Sequence, residues 1–196
     1  MILTKSRGIS NQKMSSFSSS TRIVFSKSLF TLRPSRAAIV PYWINQDGTL
    51  SFVFAVDSKY GDITDLGGGV RKYESALTGA IREFTEESHN ILGYLELNEL
   101  GCNLSITDGK MATIFVKCKE DTKYLPDKFR HTKLLGSQCG EIECIVIISE
   151  QELYNLTKNY RYRLKNRVLW SRIRRFYSSV DIKEVSSILK LLNQLQ

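Results

Sequence analysis

The segment from Gly67 to Asn90 constrains this chain more than any other. A run of glycines, Gly67, Gly68 and Gly69, is followed by Ser75 and then by a stretch where Ala76, Ala80 and Phe84, and Leu77 and Ile81, recur at fourfold spacing. That spacing predicts an amphipathic helix over 76–88 with Ser75 as its N-cap. Glu83, Glu86 and Glu87 stand at i, i+3 and i+4 on this helix, so their carboxylates share a face and can converge on one point. Carboxylates that close repel one another. A hard divalent cation such as Mg²⁺ or Mn²⁺ takes oxygen ligands and would offset the repulsion. The glycines permit close backbone approach and offer N–H and C=O groups beside such an ion. Taken alone, E-x-x-E-E is more readily a solvated acidic helix face, and a lone glycine run is usually a loop.

The surroundings predict a mixed architecture. Residues 37–43 read as a strand, 45–48 as a turn and 50–56 as the returning strand of a hairpin. Residues 62–66 suggest a short strand leading into the glycines. A second hairpin is expected from 104–107 and 111–118 through Asp108-Gly109, and 141–148 is a β-branched strand. Residues 119–138 are polar and carry no clear period. Helices are expected at 150–157, about 160–178 and 182–194. Strands, one helix, strands, then helices imply an α/β (α+β) sandwich.

Charge is unevenly placed. Residues 1–46 hold seven Lys/Arg and no acid, residues 47–153 hold 18 acids and 11 bases, and residues 154–180 hold eight Lys/Arg and no acid. Basic flanks around an acidic middle point to an anionic partner, the bland reading being solvated surface. Residues 1–34 are Ser-rich, basic and acid-free, which fits a disordered tail or a mitochondrial transit peptide. The expected organisation is that extension, a domain over 35–157, and basic amphipathic helices over 158–196 packed on it. No apolar run is long enough to cross a bilayer. Cys102, Cys118, Cys139 and Cys144 show no C-x-x-C spacing, and only His89 and His131 are present, so reduced thiols are expected and a His-rich zinc site is not. An intracellular, cytoplasmic location follows, or a mitochondrial one if 1–34 is a transit peptide.

Gly68, five residues, Glu74, seven residues, then Arg82-Glu83-Phe84-x-Glu86-Glu87 resembles the Nudix box, G-x5-E-x7-R-E-U-x-E-E-x-G-U, with U a bulky aliphatic. Seven of the nine specified positions match, counting Phe84 as U. His89 and Asn90 replace the final Gly and U, which leaves the helix C-cap to another device: Asn90 in a left-handed conformation with Ile91 as the apolar contact. Wider likeness to the family extends over about 36–157. The resemblance implies a mixed sheet sandwiched between helices and divalent-metal-dependent hydrolysis of a nucleoside diphosphate linked to a group X. By the same resemblance, Glu83 and Glu87 are the principal metal ligands, Glu86 shares their face and binds a further ion or water, and Gly68 gives a backbone carbonyl to the metal. Arg82 pairs with Glu74 and holds the loop to the helix. The general base is Glu86 or, as in mRNA-decapping members, Glu141, with Glu141 favoured. Glu143 lies on the same strand face as Glu141.

Two features lean towards capped RNA as substrate. Arg161, Arg163, Lys165, Arg167, Arg172, Arg174 and Arg175 are expected on one helix whose apolar stripe is Leu169, Ile173, Phe176 and Val180. Docked by that stripe, the helix would turn Arg167, Arg172, Arg174 and Arg175 towards phosphates. Tyr160, Tyr162, Trp170 and Tyr177 could stack on bases, although aromatics at helical spacing are more often core. In addition, Glu86-Glu87-Ser88 without the closing glycine, with Leu66 where many members have proline, resembles decapping Nudix proteins of large DNA viruses. The alternatives are a Nudix hydrolase of small nucleotides (a nucleotide sugar, a dinucleoside polyphosphate or a modified nucleoside triphosphate) and a non-catalytic RNA-binding module on the same scaffold. The sequence sets no oligomeric state.

Overall fold

The computed structural model describes residues 22–25, 29, 31–91, 103–119, 121–135 and 140–194. Most of the 1–34 extension, Cys102 and Cys139 lie outside them. The chain order is β1 (Arg22–Phe25), β2 (Arg36–Ile44), β3 (Leu50–Asp57), β4 (Ile63–Thr64), β5 (Leu66–Gly69), α1 (Ala76–Ser88), β6 (Leu104–Thr107), β7 (Met111–Lys117), α2 (Leu125–Leu134), β8 (Ile142–Ser149), α3 (Glu150–Lys158), α4 (Ser171–Ser178) and α5 (Ile182–Gln194).

The strands form one mixed sheet in the order β1-β6-β7-β2-β3-β4, with β5 also on β2 and β8 also on β3. β2 and β7 run parallel, and the other pairings are antiparallel. β2 divides its pairing: residues 36–39 face β5, and Tyr42, Trp43 and Ile44 face β3. Both hairpins fall where turn chemistry places them, with Gly48 at φ 78° and Gly109 at φ 85°.

Alternate residues of the central strands feed two cores. Phe52 and Phe54 join α3, α4 and α5 through Leu153, Ile173, Phe176 and Val185. Val53 and Ala55 join α1 and α2 through Ala80, Phe84, Leu125 and Phe129. A sheet covered on both faces buries continuous apolar runs rather than alternating ones, as β2 and β3 do. The α+β sandwich is therefore the observed architecture. Among the described residues no helix is long and apolar enough to cross a membrane.

Two elements differ from expectation. Residues 125–134, where no period was legible, form α2, started by Pro126 and anchored by Leu125 and Phe129. The basic helix expected over about 160–178 is confined to Ser171–Ser178. The preceding stretch is drawn to the sheet edge instead: Ile63 N–H donates to Val168 O at 2.7 Å and Trp170 N–H to Ile63 O at 2.8 Å. Before that, Leu164 and Arg167 close a tight turn in which Lys165 (φ 49°) and Asn166 (φ 65°) are left-handed, a conformation no α-helix accommodates. Unpaired edge groups of β4 and a turn-forming Asn outweigh the helical spacing of the arginines.

Candidate active site

Helix α1 starts where Ser75 Oγ accepts the Thr78 N–H at 3.1 Å. It ends at His89, φ 53° and ψ 30°, with Asn90 also left-handed at φ 57°. The left-handed cap is thus taken one residue earlier than expected, at the position where the resembled motif has glycine. Ile91 supplies the apolar contact, being 3% exposed. The apolar side of α1 packs on the sheet through Ala76, Leu77, Ala80 and Phe84, which fixes the rotation of its carboxylate side.

That side faces the glycine strand. β5 lies against β2 with Gly68 opposite Ala37 and Gly67 opposite Ala38. The glycines are needed for space. A Cβ at Gly67 would stand 2.3 Å from the Ala38 Cβ, and one at Gly68 would stand 2.4 Å from the Glu83 carboxyl carbon, whereas a Cβ at Gly69 meets nothing within 4 Å. The Glu83 carboxylate therefore rests directly on the Gly68 backbone.

Arg82 ties the loop to the helix. Its Nε donates to Glu74 Oε1 at 2.8 Å and its Nη2 to Glu74 Oε2 at 3.1 Å and to Gly69 O at 2.8 Å. The Arg71 N–H adds a bond to Glu74 at 2.9 Å. The Arg82 hydrogen bonds hold the Glu74 carboxyl down at about 2. Arg82 Nη1 also reaches Glu83 at 2.7 Å and Glu86 at 3.2 Å.

The three helix glutamates are not equivalent, which corrects the expectation that they converge. The Glu86 side chain is 55% exposed and paired with Arg82. Glu87 is 8% exposed, and its Oε2 is buried without a hydrogen-bond partner. Among the described residues no three His, Cys, Asp or Glu side chains stand grouped for one ion. Burial pushes the Glu87 carboxyl up to about 8, against the pull of Arg36 and a backbone hydrogen bond at Gly67, with Asp65 and Glu83 adding to the rise.

A cleft of about 290 Å³ opens here, lined by the three glycines and Glu87 together with Arg36, Glu141, Trp170 and Arg172. Glu141, exposed, immediately precedes β8. Glu143 is turned to Arg167, with Arg167 Nη2 at 2.8 Å from Glu143 Oε1 and Nη1 donating to Gly61 O at 3.0 Å. Arg172 is exposed and donates to Ser35 Oγ at 3.0 Å. Arg175 is also exposed, three residues on.

Arg174 departs from expectation. It is 9% exposed, donates to Asn159 O at 2.6 Å and stacks on Tyr160 at 4.2 Å. Tyr177 is fully buried. The broad cationic helix face therefore reduces to Arg172 and Arg175, and Trp170 is the aromatic that reaches the cleft among those singled out. Among the described residues Cys118 and Cys144 stand outside any disulfide, and both are partly buried.

Sequence reasoning missed Arg36 and Asp65. Asp65 is completely buried, and its carboxylate lies 2.7 Å from Arg36 Nη2. Burial raises the Asp65 carboxyl, opposed by Arg36. The available signal was an acid placed between Thr64 and Leu66, in a segment read as a short strand leading into the glycines.

No protein-family model matches the sequence, and no curated protein matches it significantly. Among solved structures the chain is similar to a C. elegans Ap4A hydrolase in a binary complex, at 18% identity over 74% of this chain and 96% of that one, with a TM-score of 0.41. It is similar to the Nudix hydrolase RenU from M. smegmatis, at 12% identity over 77% and 90%, TM-score 0.37. It is also similar to a mutant of the Bacillus subtilis pyrophosphohydrolase BsRppH, at 15% identity over 89% and 90%, TM-score 0.40.

Proposed function

We propose that this chain is a Nudix-type hydrolase that uses a divalent cation, Mg²⁺ or Mn²⁺, to cleave a phosphoric anhydride in a nucleoside diphosphate linked to X. The observation that carries the reading is the buried, unpartnered Glu87 oxygen in a glycine-lined cleft. A buried carboxylate oxygen with no donor is costly unless a ligand completes it. Glu83 on Gly68, and Glu74 on Arg82 at the spacing of the motif, support the same reading.

The donor set fits such an ion. Mg²⁺ keeps several waters and commonly takes only one or two carboxylates plus substrate phosphates, so a three-carboxylate cage is not required. Glu87, Glu83 and the Gly68 carbonyl would hold it. When bound, the ion neutralises the diphosphate and makes water acidic enough to attack near neutral pH. Glu141 takes the proton of the attacking water as its oxygen bonds to phosphorus and the anhydride P–O bond breaks. Glu141 is favoured over Glu86 because it lines the cleft, whereas Glu86 is engaged by Arg82. Trp170 gives the nucleotide a stacking surface and Arg172 a phosphate contact.

For X, the leading reading is the 5′ end of capped RNA, released as methylated guanosine diphosphate. Arg172 in the cleft wall and Arg175 one turn on form a short cationic path outward. The cleft volume, the burial of Arg174 and the pairing of Arg167 with Glu143 favour the second reading, a small nucleotide. The test offers cap-labelled RNA beside nucleotide sugars, dinucleoside polyphosphates and nucleoside triphosphates, with and without Mn²⁺, to the wild type and Glu87→Gln. Metal-dependent release by the wild type alone is expected. Equal release by both proteins removes the reading.

A further inference from the structure

The guanidinium of Arg36 is anchored through Nη2 and stacked on a ring, while its Nη1 is buried without a hydrogen-bond partner. It forms the ion pair with Asp65, donates a hydrogen bond to Gly67 O and stands 5.6 Å over the Trp170 ring. Arg36 is 5% exposed and Asp65 not at all. Such a pair is an expensive way to hold a fold, because well-packed apolar residues of similar volume commonly do as well or better. Its place in the site suggests another role.

The neighbour is Glu87. Arg36 lines the same cleft as Glu87, and the Asp65 carboxylate stands 2.7 Å from Arg36 Nη2, so the two bear on the Glu87 charge with opposite signs. Arginine beside a buried carboxylate ordinarily closes on it in a two-point pair. Here Glu87 Oε2 remains without a partner. Nη2 is drawn to Asp65 and to Gly67 O and Trp170 covers a face of the guanidinium, while Nη1, buried without a hydrogen-bond partner, makes no bond to Glu87 Oε2.

We infer that Asp65 is a positioning residue that holds Arg36 off Glu87, leaving Glu87 open to the divalent cation. The inference rests on the metal reading above. Asp65 touches neither substrate nor ion; it acts through Arg36. Without its anchor, Arg36 turns to Glu87 and competes with the metal for the same oxygens.

Mn²⁺ binding to the full chain, followed by electron paramagnetic resonance without substrate, tests this in Asp65→Asn and in Asp65→Asn/Arg36→Gln. Asp65→Asn is expected to weaken binding about tenfold or more, the usual scale for residues that support metal ligands. The double variant removes the competing cation, so binding returns to within about threefold of wild type. Unchanged binding in Asp65→Asn overturns the proposal. So does a double variant as weak as the single one, since a pair with only a structural role shows no rescue. Thermal unfolding of the same samples reports the fold. Should Asp65→Asn fail to fold, Arg36→Gln carries the test: it is expected to keep Mn²⁺ binding within about threefold, and a loss of about tenfold overturns the proposal. A wild type that binds no Mn²⁺ overturns the metal reading itself and this inference with it, and is recognised because every variant then reads alike.

Discussion

Gly68 and Glu83 are in such close contact that a methyl group on Gly68 would stand 2.4 Å from the Glu83 carboxyl carbon. The contact joins β5 to α1 at the point where two of the three proposed ligands meet, and it makes the three adjacent glycines unequal.

Substitution by alanine is expected to separate them. Gly67→Ala collides with the Ala38 Cβ and backbone inside a β-ladder that cannot shift, so the fold loses about 3 kcal/mol or more. Gly68→Ala meets a side chain that can swing away. It is expected to fold with a loss of about 1 kcal/mol while displacing Glu83 and abolishing metal-dependent turnover. Gly69→Ala meets nothing and stays within about 0.5 kcal/mol of wild type. Urea denaturation midpoints and Mn²⁺-dependent activity measured side by side check the order.

Glu87 gives the metal-free protein a distinctive pH dependence. Its carboxyl is raised from 4.5 to about 8, so the folded chain keeps a proton that the unfolded chain releases across that window. Stability contributed by the neutral acid is full at low pH and declines as pH rises from about 4.5 to 8. Glu87→Gln removes this decline and is expected to be more stable than wild type at about pH 8.5 and similar to it near pH 5. Denaturant titrations at the two pH values read the difference. Metal binding releases the same proton, so Mn²⁺ affinity rises with pH over that window.

The Glu74–Arg82 pair has the opposite sign. The Glu74 carboxyl is lowered from 4.5 to about 2, so its contribution is complete above 4.5 and is lost as pH falls through about 2. Glu74→Gln removes one charge from a set of four hydrogen bonds onto that carboxylate and the loop, and is expected to cost about 1.5–3 kcal/mol near neutral pH. Thermal unfolding at neutral pH measures it, and turnover per folded molecule is expected to fall less than for Glu87→Gln.

The arginines of α4 are expected to separate by burial. Arg172→Glu/Arg175→Glu leaves the unfolding midpoint unchanged. If the substrate is long RNA, it weakens binding and reduces the salt slope by about two counterions. Arg174→Ala instead removes the charged donor to Asn159 O, which keeps the Tyr162 N–H, and leaves Tyr160 without its stacked cation, with a stability loss of about 1–3 kcal/mol. Fluorescence binding titrations over a range of salt, beside thermal unfolding, distinguish the two outcomes.

The frame of this site was legible because it is local. Ser75, the fourfold apolar spacing and the turn residues at 45–48 and 108–109 act over short stretches of chain, and the structure places α1 and both hairpins accordingly. The left-handed cap was also expected, yet it falls on His89, since helix end geometry selects the position and not the side chain. What was not legible is long-range. No local pattern in 160–170 shows that the edge of β4 will capture Val168 and Trp170. No spacing rule joins Arg36 to Asp65, which meet only after β5 pairs with β2. Similarly, the i, i+3, i+4 pattern places three glutamates on one face, but burial of Glu87 and exposure of Glu86 depend on where β5 passes.

The most direct test is a crystal structure of the chain with Mn²⁺ and its anomalous signal. A peak is predicted at roughly 2.0–2.3 Å from carboxylate oxygens of Glu83 and Glu87 and beside the Gly68 carbonyl, with Glu83 drawn off Arg82. Saturating Mn²⁺ with no peak there, Glu83 still on Arg82 and Glu87 still without a partner, would contradict the assignment of a divalent cation to this site.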